Sequence, residues 1–138
     1  MNTIIVNGKA IDSKKEISSF VTDDDYRIIK TNTSHIYLSK MPADIWNSKF
    51  WLRIYSDGKY IQKIELRNAE ERFKMDYSNM DAKKVEEQFS TNNTILAENY
   101  GDSVNKKVGS VEYKLDWGRV VSYMDNKSGD VGIVVLFD

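Results

Sequence analysis

The sequence predicts an α+β fold, with a mainly antiparallel sheet of about six to eight strands, one long helix and one short helix. Three observations lead to this prediction. Apolar and polar residues alternate in residues 50–67 and again in residues 111–117, and residues 81–100 keep an apolar period close to that of a helix. The chain has 138 residues, 41% of them hydrophobic and 30% charged, which is typical of one globular domain spanning residues 1–138.

The first part of the chain contains two predicted hairpins. Asn7 and Gly8 stand between short apolar segments, and Asn-Gly in that position favours a two-residue turn. A second turn is expected at residues 32–34, between segments rich in β-branched and aromatic residues. The predicted strands of these hairpins are residues 3–6, 9–11, 26–31 and 35–40.

A short helix is predicted between these hairpins, over residues 14–22. Ser13 and Glu16 have the spacing of a capping box, which marks the start of a helix. Ile17, Phe20 and Val21 then fall on one helical face, so we expect a short helix of about two turns near the N-terminus.

The clearest hairpin lies in residues 50–67. Its apolar residues share one parity in each strand, so one face of the hairpin is predicted to enter the core. A three-residue loop over residues 56–58 would pair Ile54 with Tyr60 and keep that face apolar. We therefore predict a type I turn followed by a bulge at Gly58. The residues of the predicted core face are Phe50, Leu52, Ile54, Ile64 and Leu66.

The opposite face of this hairpin carries three of the six candidate partner-binding residues, Trp51, Arg53 and Tyr55. Either a helix or loop covers it, or it is an aromatic and arginine-rich contact surface of the kind enriched at interfaces. A further tryptophan just before the hairpin favours the second interpretation, although burial in the core is the usual alternative for tryptophan. Two glutamates after the hairpin are adjacent rather than opposed across a cleft, so we expect no catalytic pair there. The predicted partner-binding residues are Trp46, Trp51, Arg53, Tyr55, Glu70 and Glu71.

A long helix is predicted over residues 81–100, with Ser78 or Asp81 as its N-cap and Gly101 just beyond its C-terminus. Residues 90–94 are weak helix formers, so a break or bend there is the alternative. The apolar period continues through this stretch, which favours one helix.

Three strands are predicted after the long helix. Residues 111–117 alternate clearly, and Gly118 allows the chain to turn before residues 119–124. Residues 131–137 are apolar on both faces, which is typical of an interior strand. We therefore expect the last strand to be central to the sheet.

Composition argues against several kinds of site and partner. Without cysteine the chain has neither a disulfide nor a thiolate metal site, and a net charge of −1 is not that of a dedicated nucleic-acid binder. The adjacent carboxylates of residues 23–25 cannot all point at one ion, so we expect no metal site and no cofactor. Because no segment reads as a signal peptide or a membrane span, we expect a cytoplasmic protein without a membrane partner.

The closing segment combines an aromatic strand, a Trp-Gly pair, a serine-containing strand, an Asp-x-Lys-Ser-Gly turn and an apolar last strand. These features are Tyr113, Trp117, Gly118, Ser122, Asp125, residues 127–129 and residues 133–137. In this combination the segment resembles the end of certain small uncharacterised bacterial proteins. The chain as a whole is similar to immunity proteins of bacterial toxin systems, which are small, cysteine-free α+β domains without a catalytic motif.

The lack of a catalytic motif and the abundance of tryptophan and tyrosine favour a protein-binding function. We predict an immunity protein that neutralises a cognate toxin, with aromatic anchors and a charged rim. The alternative is a small-molecule-binding domain or small enzyme with a pocket between sheet and helix. Its candidate residues are Tyr26, His35, Tyr37, Asp116 and Arg119. For a third possibility, a structural subunit, the sequence offers neither heptads nor repeats.

Overall fold

The computed structural model has the α+β fold that the sequence predicts, with a nine-stranded antiparallel sheet, a two-stranded sheet and one long helix in the described part of the chain. The structure describes residues 4–12, 14, 16–21, 24–32, 34–73, 82–102, 105–125 and 127–137. The strands are β1 Ile4–Val6, β2 Lys9–Ile11, β3 Tyr26–Lys30, β4 His35–Ser39, β5 Ala43–Ile45, β6 Ser48–Ser56, β7 Ile61–Asn68, β8 Asn105–Lys107, β9 Ser110–Leu115, β10 Gly118–Asp125 and β11 Asp130–Phe137. The helix is α1, Ala82–Tyr100.

The large sheet has the strand order β3-β4-β6-β7-β11-β10-β9-β8, with β5 paired to the start of β6. Its nine strands exceed the predicted number because β5 and β8 form in segments for which the sequence pattern predicts no strand. β5 turns back onto β6 through Trp46 and Asn47, whose φ angles are 53° and 59°. Positive φ at a residue as bulky as tryptophan is rare, which is why the sequence pattern does not predict this hairpin.

The segment predicted as a short helix forms only a 3-10 turn, Ile17–Ser19. The predicted cap Ser13 lies outside the described residues, and Glu16 makes no side-chain capping hydrogen bond. Glu16 instead forms a β-bridge with Tyr60, and the first N–H of the turn donates to the Lys59 oxygen at 2.7 Å. The prediction of a helix is wrong here because this backbone pairs with the loop of the central hairpin.

The central hairpin, β6 and β7, has the predicted core face but a different register. Ile54 pairs with Ile64, not with Tyr60 as predicted. The Asp57 carboxylate accepts hydrogen bonds from the N–H groups of Lys59 and Tyr60, at 2.9 and 2.8 Å. These bonds stabilise a loop longer than the predicted three residues.

The bulge of this hairpin lies between Tyr55 and Ser56 rather than at Gly58. Gly58 nevertheless has a positive φ of 105°, as predicted, and its N–H donates to the Ser56 Oγ at 3.0 Å. The bulge sets Ile61 opposite Ser56, and both residues are buried. Ile61 therefore belongs to the core.

Helix α1 is continuous through residues 90–94 and is followed by Gly101, with φ 78°. One of these weak helix formers packs on the sheet, and this tertiary contact offsets their low helix propensity. Asn92 is fully buried, and its Oδ1 accepts a hydrogen bond from Asn68 Nδ2 of β7 at 3.2 Å. The predicted N-cap residues lie outside the described residues: Ser78 and Asp81.

The last strand, β11, lies between β7 and β10, so the prediction of a central position is confirmed. Ile133 and Val135 are fully buried on one of its faces, and α1 packs on β10 and β11. Val134 and Leu136 have the opposite parity and are partly exposed. An apolar pattern on both faces predicts a strand that is buried on both sides. The structure confirms full burial for the face of Ile133 and Val135, whereas the other face is only partly buried.

Candidate functional site

The outward face of the central hairpin is partly open to solvent. Trp51 is 44% exposed, Arg53 is exposed and Tyr55 is half-buried. Strand pairing sets Trp51 beside Arg67 and Arg53 beside Glu65. We call this surface the hairpin patch, and it consists of Trp51, Arg53, Tyr55, Glu65 and Arg67.

Contacts within the hairpin patch hold its polar side chains in place. The Tyr55 hydroxyl donates to Glu65 Oε1 at 2.7 Å, and Arg53 Nη1 lies 3.8 Å from the same oxygen. The Lys63 ammonium lies 4.3 Å from the centre of the Tyr55 ring, on its face. Burial, followed by the hydrogen bond to Glu65, raises the pKa of Tyr55. At neutral pH the hydroxyl therefore keeps its proton and remains a donor.

Arg67 is anchored by the start of β11. Its Nη2 donates to Asp130 Oδ1 at 2.6 Å, and its Nη1 donates to the Val131 oxygen at 3.4 Å. Tyr123 lies close by over Gly132, where an added Cβ would be 3.1 Å from the Tyr123 hydroxyl oxygen. Burial, followed by the nearby Asp130 carboxylate, raises the pKa of Tyr123. These neighbours come from β10 and β11, and only the strand order brings them to Arg67.

A cavity of about 370 Å³ opens where β7 ends, and we call it the β7-end pocket. It brings together three of the predicted partner-binding residues, Trp51, Glu70 and Glu71, with Arg67 of the hairpin patch. The remaining lining residues are Asn68, Ala69, Phe73 and Gln88. The hairpin patch and this pocket thus share Trp51 and Arg67 and form one continuous surface.

The two glutamates of the pocket differ in their contacts. Arg72 donates to Glu70 Oε2 from Nε at 3.2 Å and from Nη2 at 3.1 Å, and its Nη2 also reaches Thr91 Oγ1 of α1 at 3.3 Å. The Glu70 N–H donates to Asn68 Oδ1 at 3.0 Å. Glu71 is exposed and has no ion-pair partner among the residues that the structure describes.

Trp46 lies apart from the other five predicted partner-binding residues. Its indole packs edge-on against Phe50 and against Tyr100, with ring centres 5.9 Å apart in each pair. Its Nε1–H donates to the Tyr100 hydroxyl at 3.0 Å. Trp46 therefore joins the β5–β6 turn to the C-terminus of α1 and does not extend the hairpin patch.

The residues considered for a pocket enzyme do not converge. Tyr26, His35 and Tyr37 lie on β3 and β4, at one end of the strand order. Arg119 lies on β10, and Asp116 lies in the turn before it, on the other side of the central strands. The His35 and Tyr37 rings contact each other edge-on, with centres 6.5 Å apart.

Neither a cluster of metal-ligating side chains nor a membrane-spanning helix occurs in the described ranges. No group of three or more His, Cys, Asp or Glu side chains there is placed to hold a metal ion. No described helix combines the length and apolar character needed to cross a membrane. Comparisons with family models, curated proteins and solved structures gave no match.

Proposed function

We propose that this chain is a non-catalytic protein-binding domain, and specifically an immunity protein that neutralises a cognate bacterial toxin by direct contact. The observation that carries the proposal is Trp51, which is 44% exposed where the hairpin patch meets the β7-end pocket. Tryptophan, tyrosine and arginine are the residues most enriched among interface hot spots. The hairpin patch is the contact surface in this proposal, with Glu70 and Glu71 at its rim.

Two side chains of the hairpin patch are already held by hydrogen bonds before any partner binds. Tyr55 is already hydrogen-bonded to Glu65, and Arg67 is already paired with Asp130. Ordering a free side chain at an interface costs about 0.5–1.5 kcal/mol, and a side chain held beforehand avoids part of that cost. This preorganisation supports the hairpin patch as a binding surface.

Neutralisation requires a rigid surface that covers the active site or an essential surface of the toxin. All residues of the hairpin patch lie on β6 and β7, which pair with each other and with further strands on their outer sides. Alternating Arg53, Glu65 and Arg67 supply charges of both signs around Trp51, which favours a partner of complementary pattern. The choice of a toxin domain as that partner rests on the compositional resemblance of the sequence to immunity proteins, which are small, cysteine-free α+β domains.

The proposal is tested by affinity capture from the cells that encode the protein, with three tagged baits. These are the wild-type chain, Trp51→Ala, and Val108→Ser as a matched control. Val108 is a fully exposed apolar residue beside β8, at the far edge of the sheet. We expect one stoichiometric protein with the wild-type and control baits, strongly depleted with Trp51→Ala.

The captured protein is then expressed alone and together with each of the three chains. Growth arrest that the wild-type chain and Val108→Ser relieve, and that Trp51→Ala relieves poorly, is the expected result. A partner captured equally by all three baits would exclude the hairpin patch. A partner that is harmless when expressed alone would leave a binding protein but refute the immunity function.

A further inference from the structure

We infer that the β7-end pocket receives a cationic side chain, arginine in preference to lysine, from the protein partner. This inference rests on the proposed function and specifies what the partner presents to this surface. Three features of the pocket support it: the charge of the described lining residues, the exposed ring of Trp51 and the buried Gln88.

Among the described residues that line the pocket, one carboxylate has no ion-pair partner. Arg67 is paired with Asp130 at 2.6 Å, and Arg72 is paired with Glu70 at 3.1 Å. Each of these pairs has no net charge. Glu71 has no ion-pair partner in the described part of the chain, so the described lining residues and their ion-pair partners together carry a net negative charge. A cation is therefore the favoured occupant.

The aromatic lining favours a flat cation. Trp51 is the partly exposed aromatic residue of the pocket, whereas Phe73 is only 4% exposed. The Phe73 ring also carries the Arg72 guanidinium, at 4.4 Å from the ring centre. Trp51 is thus the ring available to a partner. An indole is the strongest cation–π acceptor among side chains, and a guanidinium can stack flat on it.

The pocket lining includes one buried polar side chain from α1. Gln88 lines the pocket with only 3% of its surface exposed. The neighbouring Asn68 is already engaged, because its Oδ1 accepts from the Glu70 N–H and its Nδ2 donates to Asn92. A guanidinium has five N–H donors in one plane, so it can donate to the Glu71 carboxylate and to a second acceptor of the lining at the same time. An ammonium cannot spread its donors across a plane in this way.

The test uses blocked tripeptides, acetyl-Gly-Xaa-Gly-amide, titrated into the isotopically labelled protein and followed by NMR. Xaa is arginine, lysine or citrulline, and citrulline has nearly the shape of arginine without its charge. The indole N–H resonance of Trp51 is assigned by its loss in Trp51→Phe. We expect shifts at this indole and at the Gln88 side-chain amide with arginine, weaker shifts with lysine and none with citrulline.

Two variants locate the charge that is responsible. Glu71→Gln is expected to weaken binding of the arginine peptide by about threefold or more, because it removes the uncompensated carboxylate. Glu98→Gln, an exposed glutamate near the other end of α1, is expected to leave binding unchanged. Arginine and citrulline peptides that bind equally well, or arginine-induced shifts unaffected by Glu71→Gln, would overturn the inference.

The titration needs no natural partner, so its result is separate from that of the capture experiment. If capture succeeds and the titration shows no shift at Trp51, the proposed function stands and this inference fails. If free agmatine, a small guanidine, binds much more tightly than the arginine peptide, the pocket is a small-molecule site. That outcome would also overturn the inference.

Discussion

Burial of Tyr26 makes the free energy of unfolding depend on pH. Tyr26 is 7% exposed at the start of β3, and burial together with the adjacent Asp25 carboxylate raises its pKa from 10.0 to about 12. Both causes disfavour the phenolate, because a buried charge loses hydration and a neighbouring negative charge repels it. The native state therefore holds the Tyr26 proton more tightly than the unfolded chain does.

We predict that Tyr26 makes the protein less stable at high pH. Below pH 10 the tyrosine is protonated in both states, and its contribution to the free energy of unfolding is fully present. Between pH 10 and about 12 the unfolded chain ionises first, so this contribution is lost as the pH rises. Urea unfolding of the wild-type chain and of Tyr26→Phe gives the free energy of unfolding of each chain at several pH values in this range. We expect the wild-type value to fall relative to that of Tyr26→Phe as the pH rises. Free energies of unfolding that change with pH in parallel for the two chains would contradict the prediction.

The sequence pattern predicts which residues lie on the outward face of the hairpin, but it does not predict that Trp46 packs against the C-terminus of α1. Alternation along the strand places Trp51, Arg53 and Tyr55 on one face, as observed. Trp46 points elsewhere because its φ of 53° forms a tight turn toward Tyr100. A backbone angle that is unfavourable for tryptophan leaves no mark in a hydrophobic pattern.

At the level of elements, the sequence pattern predicts which face of a strand is buried better than it predicts the register. The observed pairing of Ile54 with Ile64 is four residues away from the predicted pairing with Tyr60. An even shift keeps every side chain on its face, so the apolar pattern is equally satisfied by both registers. The Asp57 hydrogen bonds and the bulge after Tyr55 select between them.

The amide pair between α1 and β7 explains why a polar stretch forms the middle of a packed helix. Asn92 Oδ1 accepts from Asn68 Nδ2 at 3.2 Å, and both residues are buried. In the described part of the chain, Asn92 Nδ2 has no hydrogen-bond partner. The pair therefore satisfies one buried donor and one buried acceptor where an apolar contact is otherwise expected.

Asn92→Leu is predicted to lower the free energy of unfolding by about 1–3 kcal/mol, because it leaves the buried Asn68 Nδ2 without an acceptor. Urea unfolding measures the change. Thr94→Ala is the control, since Thr94 belongs to the same weak helix-forming stretch but is exposed. We expect that variant to keep or slightly gain stability. Equal or greater stability of Asn92→Leu would show that the amide pair contributes nothing.

For the whole molecule, the central position of β11 stabilises the core and also brings Asp130 to the hairpin patch. The strand supports the core through Ile133 and Val135 and supplies Asp130 to Arg67 of the hairpin patch. The sequence pattern predicts this interior position. It does not predict the Arg67–Asp130 contact, because that contact depends on β11 lying next to β7 rather than on any local pattern.

Ile133→Asp is predicted to unfold the domain, because it places an unpaired charge at a fully buried position. Val134→Asp changes the next residue, which points to the partly exposed face, and is expected to remain folded with a smaller loss. Circular dichroism and thermal unfolding of the two variants measure the difference. A cooperative transition for Ile133→Asp near that of the wild-type chain would contradict the central position of β11.

The central claim is that the hairpin patch binds a protein partner through Trp51. Isothermal titration calorimetry of the captured partner with the wild-type chain, Trp51→Ala and Val108→Ser tests it most directly, once equal thermal stability shows that all three are folded. We predict that Trp51→Ala weakens binding by about 2 kcal/mol or more, roughly a thirtyfold increase in Kd, and that Val108→Ser leaves Kd unchanged. Equal Kd values for all three chains would contradict the claim and locate the interface elsewhere on the protein.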